Sequence, residues 1–276
     1  MPGLGGKGAL DLDMKKAPIG VFDSGVGGLT AVRCLRRLLP GEDIVFFGDT
    51  ARVPYGSRTP QEIHRFAREN LAFLRSFGAR AVLAACGTIS AIALDDLQDA
   101  GIPVCGVLLP AVERAVQVTR SGRVGVIATP ASIGSGGFQR ALRARGCDVT
   151  ANACPQYVPL AEQGRVRPGD PLVEQVTAEY LAPMREAEVD TLILGCTHFP
   201  LFREVIAAYL GEGVTLVDSS AEAASALAAL LGPEEGRSGG SLEIWVSGDP
   251  APFAPLAERF LQETGLRVRK VTKGDA

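Results

Sequence analysis

The stretch LILGCTHFP, Leu192 to Pro200, runs from aliphatic residues straight into glycine, cysteine, threonine and histidine. A short apolar run that ends this way reads as a buried strand delivering polar groups at its carboxyl end. A second stretch, AVLAACGTIS (Ala81 to Ser90), follows the same plan, with Cys86 and then Thr88 after the apolar residues. In both, the end of one amphipathic segment precedes the strand and another begins after it. Two such units argue for two similar α/β lobes facing each other. The plainer reading, that all strand-to-helix units look alike, fits the pattern equally well.

Outward from these two stretches the alternation continues. Strands are expected at 19–22, 43–49, 81–86, 103–108, 123–129, 148–154, 191–196, 214–218, 242–247 and 267–271. Their apolar residues are continuous rather than alternating, as in strands covered on both faces. Helix-length segments lie between them. One follows Thr59 as N-cap with Pro60 in its first turn and stops near Gly78; another follows Asp170 as cap and carries Pro183, expected to kink it. The fold class is α/β, with mainly parallel sheets wrapped by helices. Residues 230–241, LLGPEEGRSGGS, read as a flexible loop.

The 276 residues allow one large domain or two small ones. With 46% hydrophobic and 21% charged residues the chain carries a core. A net charge of −3 gives no electrostatic footprint for nucleic acid. The opening MPGLGGKGALDLDMKKAP lacks the apolar core of a secretory signal, so residues 1–16 are read as a flexible extension. Every apolar run is far shorter than a membrane span. The expected location is the cytoplasm, where the six scattered cysteines stay reduced.

In parallel α/β sheets, ligands bind beyond the carboxyl ends of the strands. Asp23 and Ser24, Asp49, Cys86, Thr129, Cys196 with Thr197 and His198, and Asp218 with Ser219 all fall at such positions. The set has thiols and hydroxyls but no cluster of lysines and arginines for phosphoryl transfer. The first turn, FDSGVGGLT, places glycines at 25, 27 and 28, with Thr30 where the dinucleotide fingerprint requires its last glycine. That turn suits a carboxylate held by main-chain N–H groups better than a nucleotide.

Cys86 and Cys196 are read either as small residues filling strand tops or as chemistry, since a helix N-terminus favours a thiolate. A metal site finds no Cys-x-x-Cys support. A Cys–His hydrolase built on His198 and Asp23 leaves the second cysteine unexplained. Two opposed thiols have another use: one removes a proton from a carbon while the other delivers a proton to the opposite face, and no cofactor is needed. Such a coupled pair works as one thiolate and one thiol and gives a bell-shaped pH profile.

The blocks IGVFDSGVGGLT, FFGDTARVPYG, AACGTIS, GVIAT and LGCTHFP, in this order and at this spacing, resemble the glutamate racemases of the cofactor-independent aspartate/glutamate racemase superfamily. The resemblance runs from about Ile19 to the end of the chain. It implies two pseudo-symmetric lobes, residues 17–109 with 219–276 and residues 110–218, with the active site in the cleft between them. It implies that Cys86 removes the proton from D-glutamate and Cys196 the proton from L-glutamate. Asp23 and His198 are then the neighbours that help each thiol exchange its proton. Substrate contacts carry over to Asp23, Ser24, Tyr55, Gly56, Gly87, Thr88, Ser132, Thr197 and His198. The resemblance further implies a homodimer without cofactor or metal, making D-glutamate for peptidoglycan.

The chain departs from the family in having Gly87 where asparagine usually follows the first cysteine. Ile89 replaces a usual alanine, Ser132 a frequent threonine and Phe138 a frequent tyrosine. The missing amide at position 87 keeps open a racemase of aspartate or another small acid. A nicotinamide-dependent oxidoreductase and a non-catalytic amino-acid-binding protein are the readings from other classes.

Overall fold

The computed structural model describes residues 17–232 and 239–272. The expected extension over residues 1–16 and the centre of the expected loop at 230–241 lie outside the described residues.

All ten expected strands form. They are β1 (Ile19–Asp23), β2 (Ile44–Gly48), β3 (Ala81–Ala84), β4 (Val104–Gly106), β5 (Arg123–Ala128), β6 (Asp148–Ala153), β7 (Thr191–Leu194), β8 (Thr215–Asp218), β9 (Leu242–Val246) and β10 (Val268–Lys270). The helices between them are α1 (Leu29–Leu38), α2 (Pro60–Ser76), α3 (Gly87–Ile92), α4 (Leu108–Val118), α5 (Pro130–Gly134) and α6 (Gly137–Arg143). They continue as α7 (Tyr157–Glu162), α8 (Pro171–Glu186), α9 (Arg203–Leu210), α10 (Ser219–Leu231) and α11 (Pro250–Leu261).

The strands form two wholly parallel sheets, six-stranded in the order β10-β9-β2-β1-β3-β4 and four-stranded in the order β6-β5-β7-β8. In the first, Ile19 of β1 stands opposite Ile44 of β2 and Ala81 of β3. In the second, Val124 of β5 stands opposite Val149 of β6 and Thr191 of β7. The run β2-β1-β3-β4 and the run β6-β5-β7-β8 therefore share one topology. The echo between AVLAAC and TLILGC is this repeat, because β3 and β7 occupy the same place in their sheets.

Side chains alternate across each strand, and the two faces go to different cores. Ile19 and Val21 of β1 and Leu192 and Leu194 of β7 enter one apolar cluster common to both sheets. Phe22 of β1 faces a separate cluster under α2, and Ile193 of β7 a third under α4. Helices α1, α10 and α11 supply the shared cluster with Leu35, Leu227 and Phe260, all fully buried. Both faces of β1 and β7 are covered, which is why their sequences show no polar alternation.

Helix ends are set by their caps. Thr59 accepts from the Glu62 amide while the Glu62 carboxylate accepts from the Thr59 amide, a reciprocal pair that starts α2 with Pro60 behind it. Asp170 caps α8 by accepting from Leu172 and Val173, and that helix continues through Pro183. Asp218 does the same for α10 through Ser220 and Ala221, which gives this strand-end carboxylate a structural task.

Candidate active site

In each sheet the first strand lies between the second and third, so the chain leaves neighbouring strands in opposite directions at β1/β3 and at β5/β7. Such a switch point opens a crevice at the carboxyl ends. Asp23 ends β1 and Cys86 lies just beyond β3; Thr129 follows β5 and Cys196 lies just beyond β7. The two crevices face each other and merge into one cavity of about 680 Å³. Cys86 and Cys196 both line it, and they are 4% and 7% exposed, so they meet solvent to a similar degree.

The surroundings of the two sulfurs differ. Cys86 is the N-cap residue of α3, and its thiol donates to Ser24 Oγ at 3.8 Å. Burial and the neighbouring Asp23 carboxylate push this thiol up to about 12, against a smaller downward pull from the Ile89 amide, Ser24 and the Thr88 amide. Asp23 is itself buried, and burial raises its carboxyl group. His198 and the Ser24 amide, which donates to Oδ1 at 2.7 Å, pull the other way.

On the opposite wall, Cys196 Sγ lies 3.9 Å from Nδ1 of His198, and His198 Nε2 lies 3.2 Å from Glu162 Oε1. Burial alone would lower the imidazole, but hydrogen bonds to Cys196 and Glu162 and the charges of Cys196 and Asp23 outweigh it, raising His198 to about 10. His198 is therefore an imidazolium at neutral pH, placing positive charge beside Cys196. Thr197 Oγ1 donates to Asp23 Oδ2 at 3.2 Å and so ties the two sides together. One wall thus sets its cysteine beside a carboxylate and the other beside an imidazole.

The family described as Asp/Glu/hydantoin racemase matches residues 19–227. A glutamate racemase from Geobacter metallireducens is 46% identical over 251 residues, covering 88% of this chain and 92% of that one. The chain belongs to the Asp/Glu/hydantoin racemase family.

Solved structures of the family agree with the two-lobed fold. A glutamate racemase from Francisella tularensis, in complex with D-glutamate, superposes with a TM-score of 0.85 at 37% identity and covers 94% of this chain and 98% of that one. The Thermus thermophilus glutamate racemase, in complex with beta-chloro-D-alanine, gives 0.84 at 42% identity, covering 95% and 99%. An aspartate racemase from Picrophilus torridus shares the fold at a TM-score of 0.57, with 17% identity and 79% and 95% coverage.

Most residues anticipated for this family member line the common cavity: Asp23, Ser24, Tyr55, Gly56, Cys86, Gly87, Thr88, Cys196, Thr197 and His198. Tyr55 presents its ring as wall, since its hydroxyl is engaged by Asp49 and by Asn70 Nδ2 at 3.2 Å. Asp49 is fully buried and also holds Arg52 Nε at 2.5 Å and Ser247 Oγ at 2.8 Å, so it anchors the loop that carries Tyr55. Ser132 is fully buried one step behind the wall; its hydroxyl is 2.9 Å from Thr129 Oγ1, which lies 3.4 Å from Thr88 Oγ1 across the cleft.

The first glycine-rich turn does not leave room for a pyrophosphate. Thr197 and His198 of the other lobe pack directly on Gly27. Among the lining residues that escaped the sequence reading are Glu162 from α7, and Asp249, Phe253 and Leu256 at and within α11. Asp249 carried one readable sign, a carboxylate just before Pro250, and it accepts from the Ala251 amide as a cap. Glu162, in YVPLAEQG, carried none, because its partner His198 is distant in the chain.

Proposed function

We propose that this protein interconverts L- and D-glutamate by a two-cysteine mechanism that needs no cofactor, and that the D-glutamate feeds peptidoglycan synthesis. The observation that carries the reading is the placement of Cys86 and Cys196 at equivalent strand ends on opposite walls of one cavity. The similarity to glutamate racemases, 46% in the Geobacter protein, supports glutamate over aspartate, for which the likeness is one of fold alone.

The α-hydrogen of an amino acid is a feeble acid because the carbanion forms beside a carboxylate. Starting from L-glutamate, the Cys196 thiolate takes the Cα proton, and the electron pair moves into the carboxylate as an enediolate. The Cys86 thiol then gives its proton to the other face of Cα, leaving D-glutamate, a Cys196 thiol and a Cys86 thiolate. D-Glutamate runs the same steps in reverse from that second form. His198 beside Cys196, and Asp23 with Ser24 beside Cys86, supply routes by which the sulfurs regain their starting protonation. Ser24 and Thr88 line the cavity with hydroxyl groups, and each donor aimed at the developing enediolate lowers the barrier by roughly 3 kcal/mol.

The decisive measurement follows L-glutamate in deuterated water without added cofactor. D-Glutamate deuterated at Cα is expected, and Cys86→Ser or Cys196→Ser each lowers turnover by about three orders of magnitude or more. Absence of exchange with either enantiomer, or near-normal turnover in either variant, rejects the mechanism.

The division into lobes at 17–109 with 219–276 and at 110–218 is part of the same proposal. It is supported by sheet membership, since β5 to β8 form one sheet and the remaining strands the other. The resemblance favours a homodimer in the cytoplasm; among the described residues no helix is long and apolar enough to cross a membrane.

A further inference from the structure

We infer that Asn70 is a positioning residue: from α2 it holds the rim loop 50–57, through the Tyr55 hydroxyl and the Arg52 guanidinium, in the place where that loop walls the cavity. The inference rests on the glutamate reading above and says what keeps this wall fixed around the substrate.

Helix α2 buries a face that is otherwise apolar: Ile63, Phe66, Ala67, Leu71, Phe73 and Leu74. Asn70 lies on that face and is 0% exposed. A buried amide is tolerated only when its hydrogen bonds are made, and leucine, of similar size, would fill the site without that demand. Both ends of the Asn70 amide go to one loop. Nδ2 donates to Tyr55 Oη at 3.2 Å, and Oδ1 accepts from Arg52 Nη2 at 3.2 Å. A guanidinium only donates, so it fixes which way the amide is turned. Tyr55 donates its own proton to Asp49, and burial together with that carboxylate holds the hydroxyl far above its ordinary range. Its oxygen is left to accept, and Asn70 is the donor.

The loop supplies Thr50, Val53, Pro54, Tyr55, Gly56 and Ser57 to the cavity wall. Its turn, Tyr55–Ser57, reaches α5 of the other lobe. Asp49 grips Arg52 and Tyr55 from within the first lobe, and its further partner Ser247 belongs to the turn before α11. Asn70 carries the same two side chains onto α2. One turn earlier on that helix, the Phe66 ring lies 4.2 Å below the Arg52 guanidinium and 5.3 Å from the Tyr55 ring. Glu69 meets Arg52 on its outer side, at the surface. Asn70 is thus the buried polar tie between α2 and the loop. Tyr55 is 2% exposed, so water does not take the place of a lost bond.

The test compares Asn70→Leu, Tyr55→Phe and the double variant with Thr59→Ala, which weakens the start of α2 and leaves these bonds in place. In Asn70→Leu, KM for both enantiomers should rise by about tenfold or more, because a displaced wall holds the substrate less firmly. A loss of folded protein would instead lower kcat and leave KM alone. The double variant should stay within about threefold of the worse single one, since both changes break the same bond. Hydrogen exchange, read by mass spectrometry on peptides spanning 50–57, gives a readout free of substrate. It should quicken about tenfold in Asn70→Leu and stay as in the parent in Thr59→Ala.

A KM within about threefold of the parent in Asn70→Leu overturns the inference, as does unchanged exchange in the loop or a double variant whose losses multiply. If Asn70→Leu yields no folded protein, Tyr55→Phe must loosen the same loop, and a loop as protected as the parent's overturns the inference. If the parent itself does not racemise glutamate, the functional reading falls, and the exchange rates alone decide whether Asn70 holds the loop.

Discussion

Cys86 and Cys196 share residue type, burial and place in the topology, yet one faces a carboxylate and the other an imidazole. Cys86 sits against the Asp23 carboxylate, and its thiol is pushed up to about 12. Cys196 sits against His198, whose proton is held up to about 10 by that sulfur and by Glu162. Alkylation reads the raised thiol of Cys86 directly because only the thiolate reacts. At about pH 7.5, iodoacetamide should leave Cys86 largely unmodified, scored by peptide mass spectrometry, because its raised thiol holds little thiolate there. Raising the pH should then accelerate Cys86 by about tenfold per unit, because below its raised value the thiolate fraction grows in that proportion. Ready labelling of Cys86 at neutral pH would contradict its raised thiol. The cysteines, Asp23 and His198 were legible in the sequence because each follows directly on an apolar run. Glu162 was not, since a pairing between α7 and the turn that follows β7 leaves no trace in local pattern.

At the scale of the element, strands were read most faithfully and their ends least. The run expected as a strand over 81–86 stops at Ala84, because Cys86 already serves as N-cap of α3. The run expected over 191–196 likewise stops at Leu194. In both, the chain turns so that the polar residue points into the cleft rather than continuing the ladder. Short helices such as α5, α6 and α7 were missed, having too few turns to show a period. Thr59 was legible as a cap, and the reciprocal bonds with Glu62 give it a definite worth. Thr59→Ala should destabilise the protein by about 1 kcal/mol, measured as a lower urea midpoint with unchanged slope. Turnover should stay as in the parent, since neither residue lines the cavity. A loss of activity without a loss of stability would mean that this turn does more than start α2.

For the whole molecule, the question is whether two lobes behave as two bodies. Proteins with separate domains often unfold in separate steps. Here the apolar cluster that contains Ile19 and Val21 of β1 also contains Leu192, Leu194 and Phe199 of the other lobe. Separating the lobes would expose this shared cluster as well as break the polar ties between Thr197 and Asp23 and between Thr30 Oγ1 and the Thr197 carbonyl oxygen, the latter 3.2 Å apart. Opening at the cleft rim, where Thr88 and Thr129 face each other at 3.4 Å, breaks far less. The molecule should therefore open at the rim to admit substrate while unfolding as one unit. Calorimetry should show a single endotherm whose van't Hoff and calorimetric enthalpies agree. Glutamate at about 100 times its dissociation constant should stabilise that one transition by about 2.7 kcal/mol through mass action alone. Two resolved endotherms, or a ligand that moved only part of the transition, would show that the lobes hold their folds independently and that the shared apolar cluster does not couple them.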